Sequence, residues 1–299
     1  MLVETRYREN ELIDHAIGMR EELEARSTEI DQQRYLPQDL AEKLAALGFY
    51  RLIVPELLGG LGASPETFCR VCENLAMANG SAAWCVFIGS TSQYLFGALP
   101  RTQLELMLEN PDVITSGVFA DSGTALQETH GGVDGYRING HWRWGSGCRN
   151  AEWISGGIHE IDGQGERVER PRQLTRVFFL PDEIDIQDNW HVSGLRGSGS
   201  SDYIAKDVWV PAERLAGDIE DTEHANIPIY QFPKYALLGT PIGAICLGMA
   251  QASIAEVVRE SKQKTPQGSR RALALRPSLH IDVAEADTSL RAARTLFYA

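Results

Sequence analysis

The hydrophobic period of this chain changes twice, and that change excludes most folds. From the N-terminus to about Pro111, apolar residues recur at helical spacing, as in Leu12, Ala16, Met19 and Leu23, and again in Leu40, Leu44 and Leu47, so each set lines one side of a helix. Leu36-Pro37 opens the second helix and Gly48 closes it, in keeping with Pro in the first turn and Gly just past the last. Ser64-Pro65-Glu66 supplies an N-cap, an N1 proline and an acidic first turn for a helix reaching about Asn79, and a more apolar helix follows from Ser81 to Leu99. Between Pro111 and Pro211 the period becomes two, in the runs Val113 to Phe119, Tyr136 to Ile138, Trp153 to Ile158, Leu174 to Leu180 and Tyr203 to Val210. Helical spacing then returns: Thr240-Pro241 reads as a cap and N1 proline for the stripe Ile242, Ile245, Met249 and Val257, ended by Pro266 and Gly268. Pro277 opens a last helix carrying Leu279, Val283, Ala286, Leu290, Ala293 and Phe297.

The fold class is therefore α+β. We expect a helical domain over 1–111, an antiparallel β-barrel or sandwich over 112–225 and a helical bundle segment over 226–299. Leu296-Phe297-Tyr298-Ala299 has no cap or polar tail, as expected of a truncated bundle or of one covered by another subunit.

Charge narrows the function. A formal net charge of −13 argues against nucleic acid, since phosphate binding needs clustered Lys and Arg; the basic stretches Arg167 to Arg176 and Lys262 to Arg276 read as exposed loops. No run reads as bilayer-spanning, and the charged start Met1 to Arg8 lacks an apolar leader core, so a cytoplasmic protein without membrane contact is expected. Five cysteines do not describe a disulfide framework, and the Cys69-x-x-Cys72 pair lies on a helical pattern and not in a metal site. Gly59-Gly60-Leu61-Gly62 lacks the Lys-Ser/Thr of a phosphate loop, and no Gly-x-Ser-x-Gly elbow is present.

The most informative local stretch is Asn139-Gly140-His141-Trp142-Arg143-Trp144-Gly145-Ser146-Gly147-Cys148, closed by Trp153. Asn-Gly suits a type I′ turn, so Tyr136 to Ile138 and His141 to Trp144 are expected as a hairpin. Period two then places Trp142 and Trp144 on one face and His141 and Arg143 on the other. The strand runs into Gly145-Ser146-Gly147, where backbone can approach a ligand closely, so an aromatic wall stands beside amides and a hydroxyl. Such a wall suits a flat cofactor.

Written out, Asn139 to Trp153 resembles the flavin-contacting segment of acyl-CoA dehydrogenase-like flavoproteins, and the α, β, α order resembles them end to end. Leu36-Pro37 to Gly48, Val54-Pro55, Gly59-Gly60 and Asn79-Gly80-Ser81-Ala82-Ala83-Trp84 are similar to the family's early segments. Trp190-x-x-x-Gly194-Leu195-Arg196-Gly197-Ser198-Gly199-Ser200 resembles the form found in the flavin-dependent monooxygenase branch.

The resemblance implies the oxygenase component of a two-component system. Such a component takes reduced FMN or FAD from a separate flavin reductase and uses O₂ to hydroxylate a small aromatic substrate. It implies cofactor contacts by Phe119, Ala120, Thr124, Trp144, Gly145, Ser146, Arg196 and Ser198, with Ser146 near flavin N5, Arg196 at the carbonyls and N1, and Thr124 towards phosphate. Ser146 and Arg196 are the catalytic candidates, no metal is implied, and a homo-oligomer of the dimer-of-dimers kind is expected. Two departures bear on the reaction. Phe119-Ala120-Asp121-Ser122-Gly123-Thr124 lacks the Thr-Glu-Pro of true acyl-CoA dehydrogenases, and no residue corresponds to their late catalytic carboxylate or to the histidine base of many monooxygenases. An acyl-CoA dehydrogenase-like enzyme and an inactive flavin-fold subunit therefore stand as the alternatives.

Overall fold

The computed structural model describes residues 2–169 and 173–299, and side chains from residue 9 onward. Of the basic stretch Arg167 to Arg176, residues 170–172 lie outside the described residues. The helical part comprises α1 (Leu2–Gly18), α2 (Arg20–Ala25), α3 (Ser27–Gln33), α4 (Gln38–Ala46), α5 (Pro65–Ala76), α6 (Gly80–Gln93) and α7 (Arg101–Met107). Ser64 caps α5 as the sequence predicts, its side chain accepting from the Thr67 amide, while Asn79, read as the end of α5, caps α6 by accepting from the Ala82 amide; both satisfy first-turn donors that have no partner inside the helix. Leu12, Ala16, Leu23, Ile30, Leu40 and Leu44 are buried, as their spacing requires. Nearly every side of α6 is covered, because it lies between α5 and the sheet.

The sheet contains β1 (Thr115–His130), β2 (Val133–Gly145), β3 (Trp153–Ile161), β4 (Arg176–Phe179), β5 (Asp185–Ile186), β6 (Ser201–Pro211) and β7 (Leu215–Ala216). Its order is β5-β6-β2-β1-β3-β4-β7. β1 and β3 run parallel while the other neighbours are antiparallel, so the sheet is mixed, not antiparallel throughout. The parallel pair arises because β3 returns to the far side of β1 after the β1–β2 hairpin.

The structure overturns two local expectations. The β1–β2 hairpin turns at Gly131-Gly132, both with positive φ, and His130 pairs with Val133; this is the two-residue loop whose twist suits a hairpin. Asn139-Gly140 instead lies inside β2. There the Asn139 side chain exchanges hydrogen bonds with Asp207, at 2.9 and 3.0 Å, and a β-carbon on Gly140 would sit 2.5 Å from the Trp142 ring. The glycine is thus required by packing and not by a turn. Nor do the two tryptophans share a face: Trp142 is fully buried, stacked on Tyr203 with centroids 5.4 Å apart, while Trp144 is 69% exposed.

The chain ends in α8 (Pro228–Gln231), α9 (Lys234–Gln263) and α10 (Pro277–Phe297). Pro241 does not open α9 but sits inside it. The helix begins two turns earlier because Leu237, Pro241, Ala244, Ile245 and Gly248 form one buried stripe, which packs on α5, and Thr240 donates to the Ala236 carbonyl instead of capping. α9 is also long and apolar enough to cross a membrane by length and composition, with a window of mean hydropathy 1.5, contrary to the sequence reading. On α10, Leu290 is buried while Ala286 and Ala293 face outward. Arg294 Nε and the Tyr298 hydroxyl donate to the two oxygens of buried Glu73, at 2.6 and 2.7 Å, and so tie α10 to α5.

Candidate functional site

β2 pairs Trp142 with Tyr203 and Gly145 with Ser201. Arg143 and Trp144 on β2 therefore face Asp202 alone on β6, which is a β-bulge, a device that re-aims a side chain. At the bulge Trp144 adopts φ 64°, a region that costs a bulky L-residue roughly 1–2 kcal/mol. The bulge breaks the alternation on which the sequence reading relied, and it turns Trp144 out of the face that buries Trp142.

Beyond the bulge the chain is zipped to the glycine-serine turn. Ser146 N donates to the Trp144 carbonyl and Gly147 N to the Ser198 carbonyl, while Ser116 Oγ donates to the Ser146 carbonyl at 2.7 Å. The Ser146 hydroxyl accepts from Trp84 Nε1 at 2.9 Å and shares a 2.7 Å hydrogen bond with Ser200, which in turn bonds Ser198 at 2.7 Å. These three serines are buried. Their hydroxyls form a chain that can run in either direction, because each hydroxyl both donates and accepts, and reversing it requires the hydroxyls to rotate together.

Arg196 lies in a single 3-10 turn, Arg196–Ser198, entered through Leu195 at φ 52°. The turn packs between α3 and α6, and Arg196 Nε is buried with no partner among the described residues. Phe119 and Ala120 sit where β1 leaves register with β3. The Arg176 guanidinium stacks over the Phe119 ring at 4.5 Å, and burial pushes its pKa down.

The structure brings Trp144, Gly145, Ser146 and Ser198 together, with Phe119 and Ala120 at the same end of the β1–β2 pair. Thr124 is not brought in: it lies opposite Asn139, five strand positions from Trp144, which is about 17 Å along β2. A cavity of about 580 Å³ between α9 and α10 has Ile254, Val258, Leu279 and Val283 in its walls and none of the candidate site residues. Sequence reading missed Ser116 and Asp202 as neighbours of the site, and quoted Ser200 in the glycine-serine motif without giving it a role. It quoted Trp84 in a motif without linking it to Ser146, a contact between residues 62 apart.

Among known proteins, residues 16–98 match the family model "Acyl-CoA dehydrogenase, N-terminal domain" and residues 240–299 match "Acyl-CoA dehydrogenase, C-terminal domain". The chain is 32% identical over 277 residues to indole-3-acetate monooxygenase of Pseudomonas putida, covering 92% of this chain and 68% of that one. The chain belongs to the acyl-CoA dehydrogenase-like flavin-dependent monooxygenases. Another member, the oxygenase subunit HsaA of Mycobacterium tuberculosis, is 31% identical over 253 residues, covering 81% of this chain and 61% of that one. The HsaA crystal structure superposes with a TM-score of 0.79 at 28% identity, covering 97% and 74% of the two chains. The oxygenase component of FADH(2)-dependent resorcinol hydroxylase from a Rhizobium species is 25% identical over 298 residues, covering 94% and 70%. The chain thus spans about two thirds of the length of these monooxygenases.

Proposed function

We propose that this chain is the oxygenase component of a two-component monooxygenase that hydroxylates a small aromatic substrate with O₂ and reduced flavin from a separate reductase. The observation that carries the reading is the Trp144 bulge joined to the Ser146 hydroxyl chain. The exposed Trp144 ring, the Ser146 hydroxyl and the Arg196 Nε, which has no partner among the described residues, are the kinds of group that bind a flat anionic ring system. When bound, the reduced flavin would supply the electrons that activate O₂. The chain's own residues hold and shield it: Trp144 would lie against the ring, the Ser146 hydroxyl would donate to a ring nitrogen, and the Arg196 guanidinium would balance negative charge. Phe119 and Ala120 would flank the ring, while the phosphate role once expected of Thr124 needs a ligand reaching about 17 Å down β2.

The flavin is reduced FMN or FAD, with FAD supported by the name of the resorcinol hydroxylase relative. Leu296 is 81% exposed, and Ile281, Val257 and Ile242 also lie open on α9 and α10, so we read α9 as a bundle helix of a cytoplasmic homo-oligomer. Five free cysteines, four of them buried, suit a reducing compartment.

The test supplies this chain with chemically reduced FMN or FAD, O₂ and a panel of phenolic and indolic compounds, without NAD(P)H. Saturable flavin binding and a hydroxylated product are expected. Anaerobic bleaching of bound FAD by an acyl-CoA would point to a dehydrogenase instead, and no binding of either flavin in either redox state would point to an inactive subunit.

A further inference from the structure

Trp144 poses a problem that its own sequence does not solve. A bulky residue at φ 64° with its ring 69% exposed is strained without any packing reward, and such a conformation persists only where neighbours enforce it. The bulge has also taken the Trp144 amide out of the β2–β6 ladder. A single side chain answers both. Asp202, the one β6 residue facing the bulge, accepts the Trp144 amide on Oδ1 at 3.2 Å and His141 Nε2 on Oδ2 at 2.8 Å. Its own amide donates to Asn189 Oδ1 at 3.0 Å, so Asp202 is held at its backbone as well as its carboxylate, and the residue is buried.

We infer that Asp202 is the positioning residue of the flavin site, holding the Trp144 backbone in its left-handed bulge so that the indole presents its face to the reduced flavin. Asp202 does not touch the cofactor and acts through Trp144 alone. The inference rests on the flavin reading above. The group that replaces the lost ladder partner is charged, and hydrogen bonds to charged groups contribute about 1.5–3 kcal/mol, equivalent to roughly 10- to 100-fold in a dissociation constant.

The experiment is anaerobic titration of reduced FAD and FMN into wild type, Asp202→Ala, Asp202→Asn, Trp144→Ala and the Asp202→Ala/Trp144→Ala double variant, with thermal melts as a control for folding. Asp202→Ala should weaken binding at least about tenfold, Asp202→Asn should recover most of it by keeping an acceptor for the amide, and Asp202→Ala should add nothing once Trp144 is gone. Should Asp202→Ala fail to fold, Asp202→Glu, which keeps the charge but displaces the carboxylate by one methylene, gives the same comparison. Wild-type affinity in Asp202→Ala, or an equal loss in the Trp144→Ala background, overturns the inference while leaving the flavin reading intact. Absence of flavin binding by wild type overturns both.

Discussion

Trp142 and Trp144 lie two residues apart on one strand and do opposite things. Trp142 is sealed under Tyr203 and Phe179, its Nε1 donating to the Gly157 carbonyl at 2.8 Å, with Gly140 and Gly156 leaving room for its ring. Trp144 is left open at a strained backbone position. One stabilises the sheet, and the other is held against its own preference by Asp202. The lesson is that one inserted residue, the bulge, converts a core position into an exposed one, the position proposed above to face the flavin.

The contrast can be broken most directly through stability. Trp142→Ala should cost about 3–5 kcal/mol by loss of packing and creation of a cavity, whereas Trp144→Ala should stay within about 0.5 kcal/mol of wild type; urea melts measure both, and comparable losses would erase the distinction. Ser146→Ala falls between them. It leaves Trp84 Nε1 and the Ser200 hydroxyl short of a partner, so a loss of about 1–3 kcal/mol is expected. In the other direction, Trp144→Asn should raise stability by up to about 1 kcal/mol, since Asn tolerates the left-handed region, while flavin binding weakens.

A finer test uses acid. Burial works to raise the Asp202 carboxyl, but hydrogen bonds from His141, the Trp144 amide and Asn189 outweigh it and hold the group below the usual carboxylate range. Its stabilisation is therefore present above the unfolded carboxylate pKa and lost as pH falls through the lower folded value. Wild type should lose more stability than Asp202→Asn over that acid window, and superimposable pH curves would remove Asp202 from the account. The smallest effect concerns thiols. Burial pushes Cys85 and Cys148 up to about 12 and Cys69 up to about 11, so at pH 8 a thiol reagent should label exposed Cys246 and spare these three. Rapid labelling of Cys148, two residues past Ser146, would mean that the glycine-serine turn opens.

Much of the fold was legible because it rests on local rules. The cap at Ser64, the proline at the start of α10 and the helical pattern that carries Cys69 and Cys72 on α5 follow from local residue types and spacing, whereas the cap at Asn79 was not read. The failures share one cause. Asn139-Gly140 carried a turn signal, yet Gly131-Gly132 made the turn, and Thr240-Pro241 carried a cap signal, yet α9 ran through it; in each case long-range packing overrode a local preference. Of the residues that the structure brings together, Trp144, Ser146 and Ser198 stand in motifs that the resemblance supplied. Asp202 and the contacts of Ser146 with Ser200 and Trp84 were not readable, since they depend on strand register and on α6 meeting the sheet.

In the proposed site Trp144, and not Trp142, faces the cofactor. Anaerobic titration of reduced FAD into wild type, Trp144→Ala and the volume-reducing but aromatic Trp142→Phe decides it. We expect Trp144→Ala to bind at least about tenfold more weakly, a difference of about 1.4 kcal/mol, with its melting unchanged, and Trp142→Phe to melt earlier yet bind as wild type while folded. Wild-type affinity in Trp144→Ala would contradict the account.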